Sequence, residues 1–198
     1  MATTVNSGRP PDIERLAREL DAAEEEARAI VKGLSEARGA WRASPTSWSV
    51  SECLDHLATA NRVYLHAMQP AAEAALAAGR VRRRPAEPGI VGRWFVRTLE
   101  PPVRPARRIK APKKIVPRQA PPLADSVAAF LASQSDVRAF LAKFAGIDLD
   151  AVRFPNPFIR GLRFSLATGL HVITSHERRH LWQARRVLEA SPAIDGSA

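Results

Sequence analysis

Apolar residues recur every three or four positions in four long stretches of this chain, separated by polar or proline-rich segments. In the first, Ile13, Leu16, Leu20, Ala23, Ala27, Ile30, Val31 and Leu34 share one helical face. Asp12 is placed to cap a helix that begins near Ile13. Gly39 and residues 43–48 end it, because Pro45 excludes further helix. The second stretch opens on a capping box, Ser49 followed by Glu52, with Trp48 before the cap. Cys53, His56, Leu57, Ala60, Val63 and Ala67 form its stripe. Pro70 either kinks this helix or ends it ahead of an alanine-rich continuation to about Ala78, where Gly79 is a natural stop.

Residues 80–122 break the pattern. Nine of the sixteen prolines fall between Pro85 and Pro122, so a long helix is excluded there and a central strand disfavoured. A short helix over Val91–Leu99 fits between them. The rest reads as an ordered, extended crossover, with Ile109, Ile115 and Val116 pinned to a core and the basic side chains in water. A third helix follows from about Leu123 to Ala145, with Ala124 or Asp125 near its start and Gly146 closing it. Residues 148–152 read as a turn or strand-like piece, and Pro155 and Pro157 exclude helix beyond it. The fourth helix spans about Leu162–Ala190, and its stripe of Leu162, Leu166, Gly169, Ile173, His176, His180, Ala184 and Val187 faces inward. Gly169 on that stripe lets another backbone come close. The expectation is an all-α four-helix bundle over residues 12–190, with a long proline-rich crossover between helices 2 and 3. Flexible tails over 1–11 and 191–198 complete it.

Composition adds three constraints. A chain of 198 residues suits one well-buried core rather than two domains. No apolar run approaches the ~20 residues that span a bilayer, and the first residues lack a signal-peptide core, so the expected location is cytoplasmic. Cys53 is the only cysteine; no intrachain disulfide can form, and a small buried side chain is its simplest role. The net charge of +10 makes an anionic partner worth weighing. Between Arg104 and Arg118 there are seven basic residues and no acidic one.

Three histidines carry the candidate chemistry. His176 and His180 are four apart on a helix, displaced by ~40° and one turn, so both imidazoles can address one point. His56 comes from the inward stripe of a different helix. Three imidazoles with an open fourth position are an arrangement that catalytic zinc uses, and imidazole also suits nickel, iron and copper. A lone His-x3-His pair is more often two hydrogen-bonded structural histidines; the third, inward-facing histidine from another helix is what brings a metal into consideration. Glu52, one turn before His56, is a candidate to orient it, although the capping box already employs that side chain. Gln183 can reach the face of His180. His66 and His171 fall outside the constellation and read as structural or exposed, and Glu177 points elsewhere on its helix.

These segments resemble a known family. W-S-x-x-E-x-x-x-H-L, from Trp48 to Leu57, and H-E-R-R-H-L-x-Q-A, from His176 to Ala184, are similar to the two metal-ligand helices of the DinB-like superfamily. The prolines and basic residues between them (Pro101, Pro102, Arg108-Ile109-Lys110, Pro117) are similar to the family's crossover. The resemblance covers roughly residues 12–190. It implies an up-down-down-up bundle, a frequent homodimer, and a divalent metal, zinc or nickel foremost, on His56, His176 and His180. It also implies a metal-dependent thiol S-transferase or hydrolase acting on a small molecule, with a low-molecular-weight thiol as a second cofactor in the transferase case.

The competing class is a non-catalytic binding module whose basic stretch, Arg80 to Arg118, contacts nucleic acid or another anionic partner. Only Trp94 and Phe95 offer aromatic rings there, with no reading helix or stacking motif, which weighs against nucleic acid. No glycine-rich phosphate loop is present.

Overall fold

The computed structural model describes residues 8–102 and 111–192. The protein is mostly helical. Six α-helices are found among the described residues: α1 (Pro11–Val31), α2 (Glu36–Ala40), α3 (Val50–Ala77), α4 (Ile90–Leu99), α5 (Leu123–Phe144) and α6 (Leu166–Ala190). Two strands, β1 (Arg153–Pro155) and β2 (Arg163–Ser165), and a 3-10 turn at Lys113–Ile115 complete the order.

The apolar stripe of α1 is buried as its spacing predicts, from Ile13 through Ile30. Its N-terminus differs from expectation. Pro10 and Pro11 start the helix, since proline suits a first turn that has no N–H partners to lose. Asp12 therefore lies inside the first turn and bonds outward: both carboxylate oxygens accept from Arg82 Nη2 at 2.6 Å, and Oδ2 also accepts from Ala86 N. The helix stops at Val31, short of Gly39. Gly33, at φ +69°, turns the chain, and Ser35 caps the separate short helix α2.

The capping box of α3 forms as predicted: Ser49 Oγ accepts from Glu52 N at 3.2 Å, and Glu52 Oε2 accepts from Ser49 N at 2.9 Å. Pro70 neither ends nor divides α3, which continues to Ala77 before Gly79, at φ +62°, closes it. Helix α5 begins at Leu123, with Ala124 and Asp125 in its first turn as expected, and its start is capped from a distance. The Glu36 carboxylate of α2 accepts from Leu123 N and Ala124 N, 2.7 and 3.1 Å away.

Helix α6 starts at Leu166 rather than Leu162. Residues 163–165 form β2, antiparallel to β1 with Phe154 opposite Phe164, and Ser165 then caps α6. Of the crossover residues expected in the core, Ile115 is buried and Val116 is exposed. Ile109 lies outside the described residues. The prolines on both sides fix an extended path in which only alternate side chains can turn inward, so the neighbour of a buried Ile115 faces water. The short helix expected at Val91–Leu99 is α4, and Lys113, Lys114, Arg83 and Arg84 are exposed.

Helix α3 packs on α5 and α6, α1 on α6 and α5, and α4 on α6. Gly92 permits the last contact: a Cβ there would lie 2.5 Å from Thr168 Oγ1 and 2.9 Å from its Cγ2. Gly92→Ala is expected to cost about 1–3 kcal/mol through overpacking, seen as a lower denaturation midpoint at unchanged slope. The buried apolar residues form two clusters. One surrounds Phe154, Met68 and Leu170; the other surrounds Leu57, Phe130 and Leu181.

One buried carboxylate, Asp12, and one half-buried, Glu19, tie α1 to its neighbours and set an acid limit. Burial raises the pKa of Asp12, but hydrogen bonds from Arg82 and Ala86 N outweigh it and hold the carboxyl below its usual range. Glu19 is likewise lowered overall: burial raises it, while the Thr174 hydroxyl and Arg178 bring it down. A carboxylate depressed in the folded state adds stability above its unfolded pKa, ~3.9 for Asp and ~4.3 for Glu, and loses it as pH falls through the folded value. Stability should therefore drop below about pH 4. Denaturant titrations at pH 7, 4 and 3 should show this limb flattened in the Asp12→Asn, Glu19→Gln double variant.

Candidate metal centre

The facing sides of α3 and α6 bring His56, His176 and His180 together. One ring nitrogen from each lies within 4.8 Å of the other two. His56 Nε2 and His176 Nε2 are 3.1 Å apart, and the three ring centroids are separated by 4.4–4.9 Å. His56 and His180 are buried, and His176 is partly exposed. Trp48 stacks beside the group, its ring centroid 4.6 Å from that of His56 and 5.5 Å from that of His180.

The backbone fixes one of these rings. His56 Nδ1 bonds the carbonyl oxygen of Ile115. A carbonyl only accepts, so Nδ1 carries the proton and Nε2 presents its lone pair toward His176. His180 Nδ1 lies 3.1 Å from Gln183 Oε1, which sets that ring the same way. Two nitrogens bound to one tetrahedral ion at ~2.0–2.1 Å sit roughly 3.3 Å apart, close to the spacing of His56 and His176. The donor set, the tautomers and the spacing fit a divalent metal.

The sequence profile of the DinB superfamily matches residues 19–184, which include all three histidines. The chain belongs to the DinB superfamily. No curated protein and no solved structure matches it. Among the described residues, no helix is long and apolar enough to cross a membrane.

Electrostatics in this DinB superfamily member favour neutral imidazoles. Burial pulls the His56 pKa down to about 4, against the opposing pull of the Ile115 carbonyl and Asp55. Burial, then the charge of the neighbouring histidines and of Arg179, holds His176 and His180 well below the ordinary value. At neutral pH all three therefore have a lone pair available.

The other sequence candidates take different places. Glu52 does not orient His56: its carboxylate is engaged by Ser49 N and Arg42. The Ile115 carbonyl does that work, and no residue-type pattern could have announced a backbone acceptor 59 positions away. Trp48 has a second role beyond preceding a cap, since the same turn that caps α3 delivers its ring to the histidines. Cys53 is fully buried and burial pushes its thiol pKa up, as a structural residue requires. His66 is exposed. His171 is buried with Nε2 3.0 Å from Ala86 O. Glu177 faces away into the interior, where it accepts from Asn61 Nδ2 at 2.7 Å and burial raises its pKa to about 7.

Proposed function

We propose that this protein is a metal-dependent enzyme that holds a divalent ion, zinc or nickel, on His56, His176 and His180 and acts on a small molecule. The convergence of three neutral imidazoles from two helices is the observation that carries the reading. The wider frame is a four-helix bundle over residues 12–190, built from α1, α3, α5 and α6 with the proline-rich stretch as its crossover. A bound ion would supply Lewis acidity and an open coordination position, suited to activating water for hydrolysis or holding a small thiol as its thiolate.

The chain's own residues prepare that position. The Ile115 carbonyl and Gln183 hold two rings in one tautomer and orientation, which limits reorganisation on binding. Trp48 lies against His56 and His180 on one side, and the partial exposure of His176 leaves an approach for a ligand. Each reaction needs one proton removed at that position, from water to give hydroxide or from a thiol to give thiolate, and a bound ion would lower the pKa of either, so both thiol transfer and hydrolysis fit the centre.

Elemental analysis of the purified protein tests the centre. About one equivalent of metal per chain is expected in the wild type and almost none in the His56→Ala, His176→Ala, His180→Ala triple variant. Low-molecular-weight thiols with a panel of electrophiles then test the reaction; turnover in the triple variant equal to wild type would sink the proposal. Sedimentation of the same samples tests the homodimer that the family resemblance implies.

A further inference from the structure

Arg178 and Arg179 lie between His176 and His180 on α6, Arg42 and Arg118 reach carboxylates of α3, the helix of His56, and three of the four are paired with carboxylates. Arg42 pairs with Glu52. Arg118 pairs with Asp55, at 2.8 Å through Nε and 2.7 Å through Nη2. Arg178 pairs with Glu19 at 3.0 Å and with Glu100, Nε to Oε2, at 3.1 Å. Arg179 is the exception. It is only 9% exposed, yet no carboxylate pairs with it among the described residues. Among the described residues its one hydrogen bond runs from Nη1 to the carbonyl oxygen of Thr98, at 3.2 Å, near the C-terminus of α4.

A buried cation without a counter-charge is costly, and proteins normally pair it. Arg179 has no such partner among the described residues. It sits three residues after His176 and immediately before His180, on the flank of α6 that meets α4. The Thr98 carbonyl holds one corner of the guanidinium and leaves donors for a ligand. A planar fork of this kind matches a carboxylate, with two parallel N–H bonds to its two oxygens. One guanidinium balances one such charge, whereas a phosphate would ask for further cations, and the neighbouring arginines are already engaged.

We infer that Arg179 is a substrate-anchoring residue, which binds a carboxylate carried by the small molecule that sits at the histidine centre. The ligand would then be a bifunctional anion with a metal-seeking group at one end and a carboxylate a few bonds away. This rests on the metal reading above and narrows it to acidic ligands.

Two small thiols separate the claims. Mercaptoacetate and 2-mercaptoethanol share the thiol, and only the first has a carboxylate. Zinc content is measured first, and both thiols are then titrated calorimetrically into the zinc-loaded protein. Wild type is expected to bind mercaptoacetate about tenfold more tightly, as one charge-assisted pair allows. Arg179→Gln should remove most of that preference and leave 2-mercaptoethanol unchanged, while Arg179→Lys retains part of it. Equal affinity for the two thiols in the wild type overturns the inference without any variant, should the substitutions disturb folding. A preference that survives Arg179→Gln overturns it as well. Absence of zinc at the histidines, or of binding by either thiol, removes the metal or thiol reading and this inference with it.

Discussion

Replacing His180 by alanine is expected to strip the purified protein of its metal and leave its helices in place. Structural zinc sites are worth ~10–16 kcal/mol over four ligands, so one ligand accounts for roughly 2.5–4 kcal/mol, or about 100- to 1000-fold in affinity. A centre with only three protein ligands has little in reserve against such a loss. The fold should persist because α6 is held independently: Leu181, Ala184 and Val187 lie in one apolar cluster and Ile173 in the other. His180 gives up its bond to Gln183 and its ring contacts with Trp48, His56 and His176, and none of these residues is among the buried apolar residues of those clusters. Far-UV circular dichroism should match wild type while elemental analysis falls toward zero. His66→Ala, on the exposed face of α3, should keep its metal. Retention of metal in the His180 variant would remove that residue from the centre.

The features legible in the sequence are those written in local periodicity. The stripe of α1, the capping box of α3 and the i, i+4 pair on α6 each depend on residues within a turn or two of one another. Inward register then placed His56 against His176 and His180, because packed helices bring together whatever shares their apolar faces. The missed features are made by distant residues. Glu36 caps α5 across 87 positions, and Ile115 orients His56 through a backbone atom that every residue type possesses. The break between α1 and α2 was masked because Val31 and Leu34 continue the helical spacing past the point where Gly33 turns the chain. Gly169 was assigned a close backbone neighbour, yet the atoms that crowd it are side chains, Met68 Sδ and the Phe154 ring. The proline content of residues 80–122 is informative about what it excludes, and less so about direction: Ile115 and Val116 are both apolar, and only one is buried.

The β1–β2 hairpin is the clearest case of structure hidden from local pattern. Three residues per strand leave no room for an alternation to be recognised. Its significance lies in a single side chain, Phe154, which is fully buried opposite Phe164 and packs toward Tyr64, with ring centroids 6.4 Å apart. Phe154→Ala should therefore destabilise the protein by about 3–5 kcal/mol, the range for emptying a buried aromatic site. For a chain of this size that lowers the melting temperature by about 10 °C. Metal content at 25 °C should not change, since Phe154 belongs to the cluster around Met68 and the residues flanking His56 and His180 to the other. A loss below ~1 kcal/mol would mean that the hairpin does not seal this end of the core. Gly169 supplies the internal control. A Cβ there would sit 2.7 Å from Met68 Sδ and 3.0 Å from two Phe154 ring atoms, so Gly169→Ala alone should destabilise despite alanine's better helix propensity. With Phe154 already truncated, the same methyl group enters vacated space and the methionine can move aside. The two losses should then sum to less than their separate values by about 1 kcal/mol or more, as expected of residues that share one cavity. Strict additivity would mean that Phe154 does not fill the space over Gly169.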